Sequence, residues 1–176
     1  MADVTTALTL VAPQDFHDEI NKIRRDYDRA YPRWMPHINF LFPFVSEDQF
    51  DTVVSKLEPA LKPFGPFELQ MSEIGFFTQG KTVTVHIKPK DDTKVKELFN
   101  IIRNVLPDIK SKHHEFAAHL TIAQFTKAEA PAKMEELKKW LGGGFTFDVG
   151  YICVLQRSKT DNNVPFSIHK KLYLSY

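Results

Sequence analysis

The chain has 176 residues, 43% of them hydrophobic and 12% aromatic, with 23 basic against 22 acidic side chains and a formal net charge of +1. That length fits one domain with two small lobes at most, and that composition excludes a disordered chain. The near-zero balance excludes a protein that grips long nucleic acid by bulk positive charge, though not one with a local basic patch. A single cysteine, Cys153, excludes a disulfide framework and any multi-thiolate metal site. No apolar run approaches the ~20 residues needed to span a bilayer, and the start Met1-Ala2-Asp3-Val4 lacks the basic region of a signal peptide. The expectation is a soluble protein of a reducing compartment, cytoplasmic or nuclear, without membrane contact.

Residues Val4–Ala12 read as a short apolar strand, and Pro13 then opens a helix with Phe16, Ile20, Ile23 and Tyr27 on one face. His37–Phe44 is an apolar and aromatic strand bracketed by Pro36 and Pro43. Phe50, Val53, Val54, Leu57 and Leu61 form the buried stripe of a second helix, with Ser46 and Gln49 spaced as a capping box at its start. Phe67–Phe76 is the next strand. Thr82–Lys88 alternates cleanly, with Val83, Val85 and Ile87 opposite Thr84 and His86. A helix carrying Val95, Leu98, Phe99, Ile102 and Leu106 stops at Pro107, and a strand follows over His119–Phe125. Met134, Leu137 and Leu141 mark a last helix that ends at Gly142-Gly143-Gly144 and has Pro131 in or near its first turn. Phe145–Leu155 and Ser167–Tyr173 are the closing strands.

The order is therefore β-α-β-α-β followed by β-α-β-α-β-β, one unit used twice. Two copies cannot stack into a solenoid, so the pattern predicts a single α+β domain over 1–176. Its lobes are expected at roughly 1–78 and 79–176, facing each other across a groove of the kind ligands favour. The second strand of each half opens alike: His37-Ile38-Asn39-Phe40 and His119-Leu120-Thr121-Ile122, 82 positions apart. Residues i and i+2 of a strand share a face, so each strand presents an imidazole beside a small hydrogen-bonding side chain, while Ile38, Phe40, Leu120 and Ile122 face the other way. Two imidazoles flanking one site suit acid–base chemistry on a phosphodiester: a neutral histidine takes a proton from water and a protonated one gives a proton to the leaving ribose oxygen. Asn39 and Thr121 are placed to hold non-bridging phosphate oxygens. The histidine spacings match no zinc signature, and the scheme calls on no cofactor or metal.

The stretches Arg33-Trp34-Met35-Pro36-His37 and Phe116-Ala117-Ala118-His119-Leu120-Thr121 resemble the paired motifs of the two-histidine (2H) phosphoesterase superfamily, which includes RNA 2′,3′-cyclic phosphodiesterases and the 2′-5′ RNA ligases. The resemblance covers most of the chain. It implies antiparallel sheets facing a central cleft, His37 and His119 as the catalytic pair, and Asn39 and Thr121 as phosphate holders, with acid and base not assigned. It departs from the family pattern at three positions: Asn39 stands for Thr or Ser, Ala118 for a frequent Pro, and Gln124 for a frequent basic residue whose loss removes a phosphate-positioning charge. Three functions stay open: opening of RNA 2′,3′-cyclic phosphates to 2′-phosphates, a 2′,5′-phosphodiesterase or reversible ligase, and a non-catalytic RNA-end binding module.

Arg33, Trp34, Lys112 and Arg157 are candidate substrate contacts, with RNA ends or small cyclic nucleotides as partners. Lys110, Lys112, His113 and His114 form a basic run, which in most proteins is solvated loop. Trp34, Phe42, Phe76 and Tyr151 could stack a base, though with 15 phenylalanines available core packing is the simpler use of each. His86 sits on the polar face of its strand, where a satisfied core or surface histidine is the ordinary expectation. Two closed lobes need no partner, so a monomer is expected. Residues 1–78 hold 7 basic and 12 acidic side chains and residues 79–176 hold 16 and 10, which predicts that the second half grips an anionic end.

Overall fold

A computed structural model describes residues 2–110 and 115–176. Ten strands and four α-helices are assigned among them: β1 Ala2–Asp3, β2 Thr6–Val11, α1 Gln14–Tyr27, β3 His37–Leu41, β4 Phe44–Val45, α2 Phe50–Leu61, β5 Phe67–Gln79, β6 Thr82–Pro89, α3 Thr93–Val105, β7 Leu120–Thr126, α4 Ala130–Leu141, β8 Phe145–Val149, β9 Tyr151–Gln156 and β10 Ser167–Tyr173. Two antiparallel four-stranded sheets, ordered β10-β9-β2-β3 and β7-β6-β5-β8, form two lobes of an α+β fold, and β1 and β4 make a small separate ladder. The outer strands β3 and β7 belong to different sheets, yet their Cα atoms come within 8 Å of each other.

Apolar periodicity placed these elements well. In β6, Val83, Val85 and Ile87 are buried as the alternation requires, and α2 buries Phe50, Val53, Val54, Leu57 and Leu61. One continuous apolar core joins the two lobes. The α1 helix packs on the second lobe through Phe16 on Phe145 (ring centroids 5.2 Å) and Tyr27 on Phe125 (5.3 Å). Gly144, at φ +80°, passes so close to β5 that a Cβ would collide with the Met71 carbonyl, so only glycine lets β8 dock there.

Three local expectations are corrected. The stretch 145–155 is two strands, β8 and β9, which divide at Gly150 and join different sheets. Strand 37–44 breaks after Leu41, before the cis Phe42–Pro43 bond. The capping box at Ser46 is not made: its hydroxyl turns to the Asp48 carboxylate, and a 3₁₀ turn over Glu47–Gln49 leads into α2.

The sheets also do not follow the chain halves 1–78 and 79–176. The first sheet takes strands from both ends of the chain and the second takes them from the middle, because β5 joins β6 and the chain returns through β9 to the first sheet. Residues 66–149, which hold the second sheet, carry 12 basic and 11 acidic side chains, and the remainder carries 11 and 11. The charge asymmetry of the chain halves is thus not an asymmetry of the lobes.

Candidate active site

His37 opens β3, and His119 lies immediately before β7. Both rings are tethered in the same way, with Nδ1 2.7 Å from the backbone oxygen two residues earlier, Met35 for His37 and Ala117 for His119. A carbonyl only accepts, so Nδ1 carries the proton in both rings and Nε2 is the basic ring nitrogen. The repeated sequence context is therefore also a repeated geometry, on two strands that approach each other. Burial pushes the His37 pKa down to about 4; the Met35 carbonyl opposes that shift, Arg24 adds to it, Asp28 opposes it and His119 adds to it. The two imidazoles thus feel each other's charge.

Asn39 and Thr121 follow on the same strands, both half-buried. Asn39 is paired across the ladder with Thr9 of β2, and Thr9 with Cys153 of β9. Asn39 Oδ1 and Thr9 Oγ1 are buried atoms with no hydrogen-bond partner among the described residues. On the other lobe Thr121 pairs with His86 of β6, and a cavity of about 350 Å³ opens beside His119, Thr121, Thr84 and Phe77.

His86 departs from the ordinary expectation. It is 4% exposed, and its ring centroid lies 5.2 Å from that of His119 and 4.6 Å from that of Phe77. Its Nδ1 has no hydrogen-bond partner among the described residues, and its pKa is pushed down to about 3, first by burial and then by the His119 and Lys88 charges. Room for the ring comes from Gly75 opposite it on β5, where a Cβ would fall 2.5 Å from His86 Nε2. A glycine facing a histidine across a hairpin was a signal available in the sequence, but only once the register was known.

The remaining candidates separate. The Trp34 ring stacks on His37 (4.5 Å) and on Phe166 (3.8 Å), so it buttresses a catalytic candidate, and a base would have to displace one of these rings to stack on it. Arg157 lies over Phe166 (5.6 Å) and donates to the Ser158 carbonyl and to Asn162. Arg33 is exposed and turns back to the Arg29 carbonyl, while its own carbonyl accepts from Phe166 N–H. Lys112, His113 and His114 lie outside the described residues. Lys110 borders a different cavity, beside Ala2, Phe44 and Val45. Phe76 is 54% exposed and faces α4 rather than His119. Tyr151 lies with Trp34 and Phe42 against the buried Cys153, Leu155 and Phe166, its ring beneath Lys171 Nζ at 4.7 Å.

Gln124 does not meet the expectation of a merely lost charge. Its amide spans the lobes, donating to Asp28 Oδ1 at 3.1 Å and accepting from Arg29 N–H at 2.8 Å. Asp28 in turn holds Arg24 (2.9 Å) in an ion pair whose side chains are 1–2% exposed. Arg24 can be buried because Asp28 lies one turn on, and Asn21 Oδ1 and the Trp34 carbonyl accept its other N–H groups. Among the described residues no three His, Cys, Asp or Glu side chains converge as a metal site, and no helix is long and apolar enough to cross a membrane.

Two lobes carry paired, identically tethered histidines on neighbouring strands. A family profile described as the 2′-5′ RNA ligase superfamily matches residues 12–161, and the chain belongs to that family, within the two-histidine phosphoesterases. Sequence relatives include a protein of Staphylococcus haemolyticus named as a phosphoesterase, 31% identical over 118 residues, covering 66% of this chain and 69% of the relative. A Staphylococcus epidermidis protein named likewise is 29% identical over the same shares. Among solved structures, Escherichia coli LigT complexed with 3′-AMP superposes with a TM-score of 0.67 at 14% identity, covering 98% of both chains. A Thermus thermophilus protein gives 0.65 at 12% identity, covering 96% of this chain and 97% of its own. These likenesses are of fold.

Proposed function

We propose that the chain is a metal-independent phosphodiesterase that opens RNA 2′,3′-cyclic phosphate ends to 2′-phosphates. The observation that carries this reading is the pair of Nδ1-tethered imidazoles at the starts of β3 and β7, each followed by a polar side chain two residues on. His37, held neutral by its surroundings, is the base: its Nε2 takes a proton from water as the water oxygen bonds to phosphorus. His119, protonated, gives its Nε2 proton to the 3′-oxygen as the P–O3′ bond breaks, leaving a 2′-phosphate and a 3′-hydroxyl. Water supplies both the new P–O bond and the proton that replaces the one spent, so the pair ends with its protons exchanged and solvent resets it.

Thr121 donates its hydroxyl to a non-bridging oxygen as charge builds there. Asn39 does the same through Nδ2, its Oδ1 being buried against the sheet. Lys171 and Arg157, on the β9–β10 side, are cations available among the described residues to an incoming anionic end. LigT structures complexed with 3′-AMP, ATP and NADP+ support a nucleotide as the ligand class.

The second reading, action on a 2′,5′ linkage by the same four residues, is favoured by the family description alone. The test is product identification from a 2′,3′-cyclic nucleotide and from a 2′,5′-linked dinucleotide, with and without EDTA. The 2′-phosphate alone, insensitive to EDTA and reduced about 10³-fold by either His37→Ala or His119→Ala, is the expected result. Turnover retained in either variant overturns the pair, and phosphate-end binding without product leaves a binding module.

A further inference from the structure

Segment 28–36, between α1 and β3, carries two groups that orient the His37 ring. Met35 supplies the carbonyl that fixes its Nδ1 proton, and Trp34 supplies the ring on which it stacks. Pro36 closes the segment by accepting from Ala12 N–H. A loop of this length has no ladder of its own, so its position depends on what ties it down. One set of ties lies within the first lobe, where the buried Arg24 guanidinium reaches the Trp34 carbonyl at 2.8 Å and Phe166 N–H donates to the Arg33 carbonyl at 2.8 Å. The other comes from the opposite lobe: Gln124 of β7 accepts from Arg29 N–H and donates to Asp28 Oδ1, which also accepts from Ala30 N–H at 3.0 Å. Gln124 shares its strand with Thr121, three residues before it. A continuous set of contacts therefore runs from the strand of Thr121 through Gln124, Asp28, Arg24 and Trp34 to His37.

We propose that Gln124 is a positioning residue: by clasping segment 28–36 to β7 it sets the His37 ring in register with His119 and Thr121 across the lobe boundary. Its amide is suited to this because it donates and accepts at once, toward a carboxylate and a backbone N–H that point at it together. An arginine or lysine, the side chain frequent at this position in the resembled family, could meet Asp28 but could not accept from Arg29 N–H. The proposal rests on the phosphodiesterase reading only for its kinetic arm.

The test is Gln124→Met, which keeps length and volume and removes both hydrogen bonds, with Gln124→Ala as a second variant. The kinetic arm compares hydrolysis of a 2′,3′-cyclic nucleotide, where kcat is expected to fall about tenfold or more with KM changed by less than about threefold. The second arm, which needs no activity, follows the His37 ring by ¹⁵N NMR from pH 7 to pH 4. In the parent the ring keeps its Nδ1–H tautomer and takes up its proton near pH 4, under the charges of Arg24, Asp28 and His119. In the variant, loss of the clasp admits water to the segment, so the tautomers mix and proton uptake moves up by about one pH unit or more. A purely stabilising glutamine would lower the urea midpoint and leave tautomer, proton uptake and kcat as in the parent, and that outcome overturns the proposal. So does a fall in kcat with an unchanged His37 ring. If the parent itself turns over neither substrate, the phosphodiesterase reading fails, and the NMR arm alone still decides the role of Gln124.

Discussion

The burial of His86 makes the stability of the fold depend on pH in a way that one substitution removes. The ring is 4% exposed, and its pKa is pushed to about 3 from the 6.5 of a free imidazole. Between those values the unfolded chain binds a proton that the folded one does not, so the contribution is complete above pH 6.5 and is lost as pH falls toward 3. From 6.5 down to pH 5 the gap is 1.5 pH units at ~1.4 kcal/mol each, about 2 kcal/mol, and this holds for any folded pKa well below 5. His37, with a folded pKa of about 4, adds about 2 kcal/mol of its own over the same span. His86→Phe keeps a ring between Phe77 and Gly75 and removes the titration. Urea unfolding at pH 7 and pH 5 should show the parent losing about 2 kcal/mol more than the variant, with equal m-values, since the other titrating groups cancel in the comparison. Equal losses in the two proteins would refute the claim that His86 is held neutral by its site.

The acid limb of kcat/KM, which reports the free enzyme, should lie near pH 4 rather than near 6.5, because His37 must be protonated before the base is lost. A fall centred on pH 6.5 would give the base role to another group. Arg24→Met should cost about 3 kcal/mol or more in urea unfolding, since it leaves the Asp28 carboxylate buried opposite no cation; a loss under about 1 kcal/mol would show that Asp28 reaches water. Gly75→Ala should shift the His86 and His119 ring signals together in NMR spectra, because the new Cβ would lie 2.5 Å from His86 Nε2 and the two rings are in contact. Unmoved signals would mean that the hairpin yields instead.

What the sequence disclosed was what repeats locally. The two histidine strands were legible because strand alternation ties His37 to Asn39 and His119 to Thr121, and because the same order of residues occurs twice. The helices were legible from their apolar stripes. The crossover was not: Phe145, Phe147 and Val149 run on into Tyr151 and Ile152 with no polar break, and only the pairing of β8 with β5 and β9 with β2 shows that the chain changes sheet at Gly150. Gln124 and Asp28 are 96 residues apart, so no local pattern marks their bond. His86 was visible on its groove-facing side, but its enclosure depends on the absent side chain of Gly75 across the hairpin.

The crossover also changes what electrostatics can do for binding. Halves cut from the sequence differ by eleven charges, which suggested a basic lobe holding an anionic end, but the lobes as folded carry +1 and 0. Under the proposed function, grip on a phosphorylated end falls to individual cations, Lys171 over Tyr151 and Arg157 over Phe166 being two candidates. Two such contacts with single-stranded RNA, each releasing about 0.7 of a counterion, give a slope of about −1.4 in a plot of log affinity against log salt. Titrating a short RNA with a terminal phosphate at several salt concentrations measures that slope. A value steeper than about −3 would mean that at least four cations engage the chain, more than these two supply, and would return the basic run near Lys110 to the binding surface.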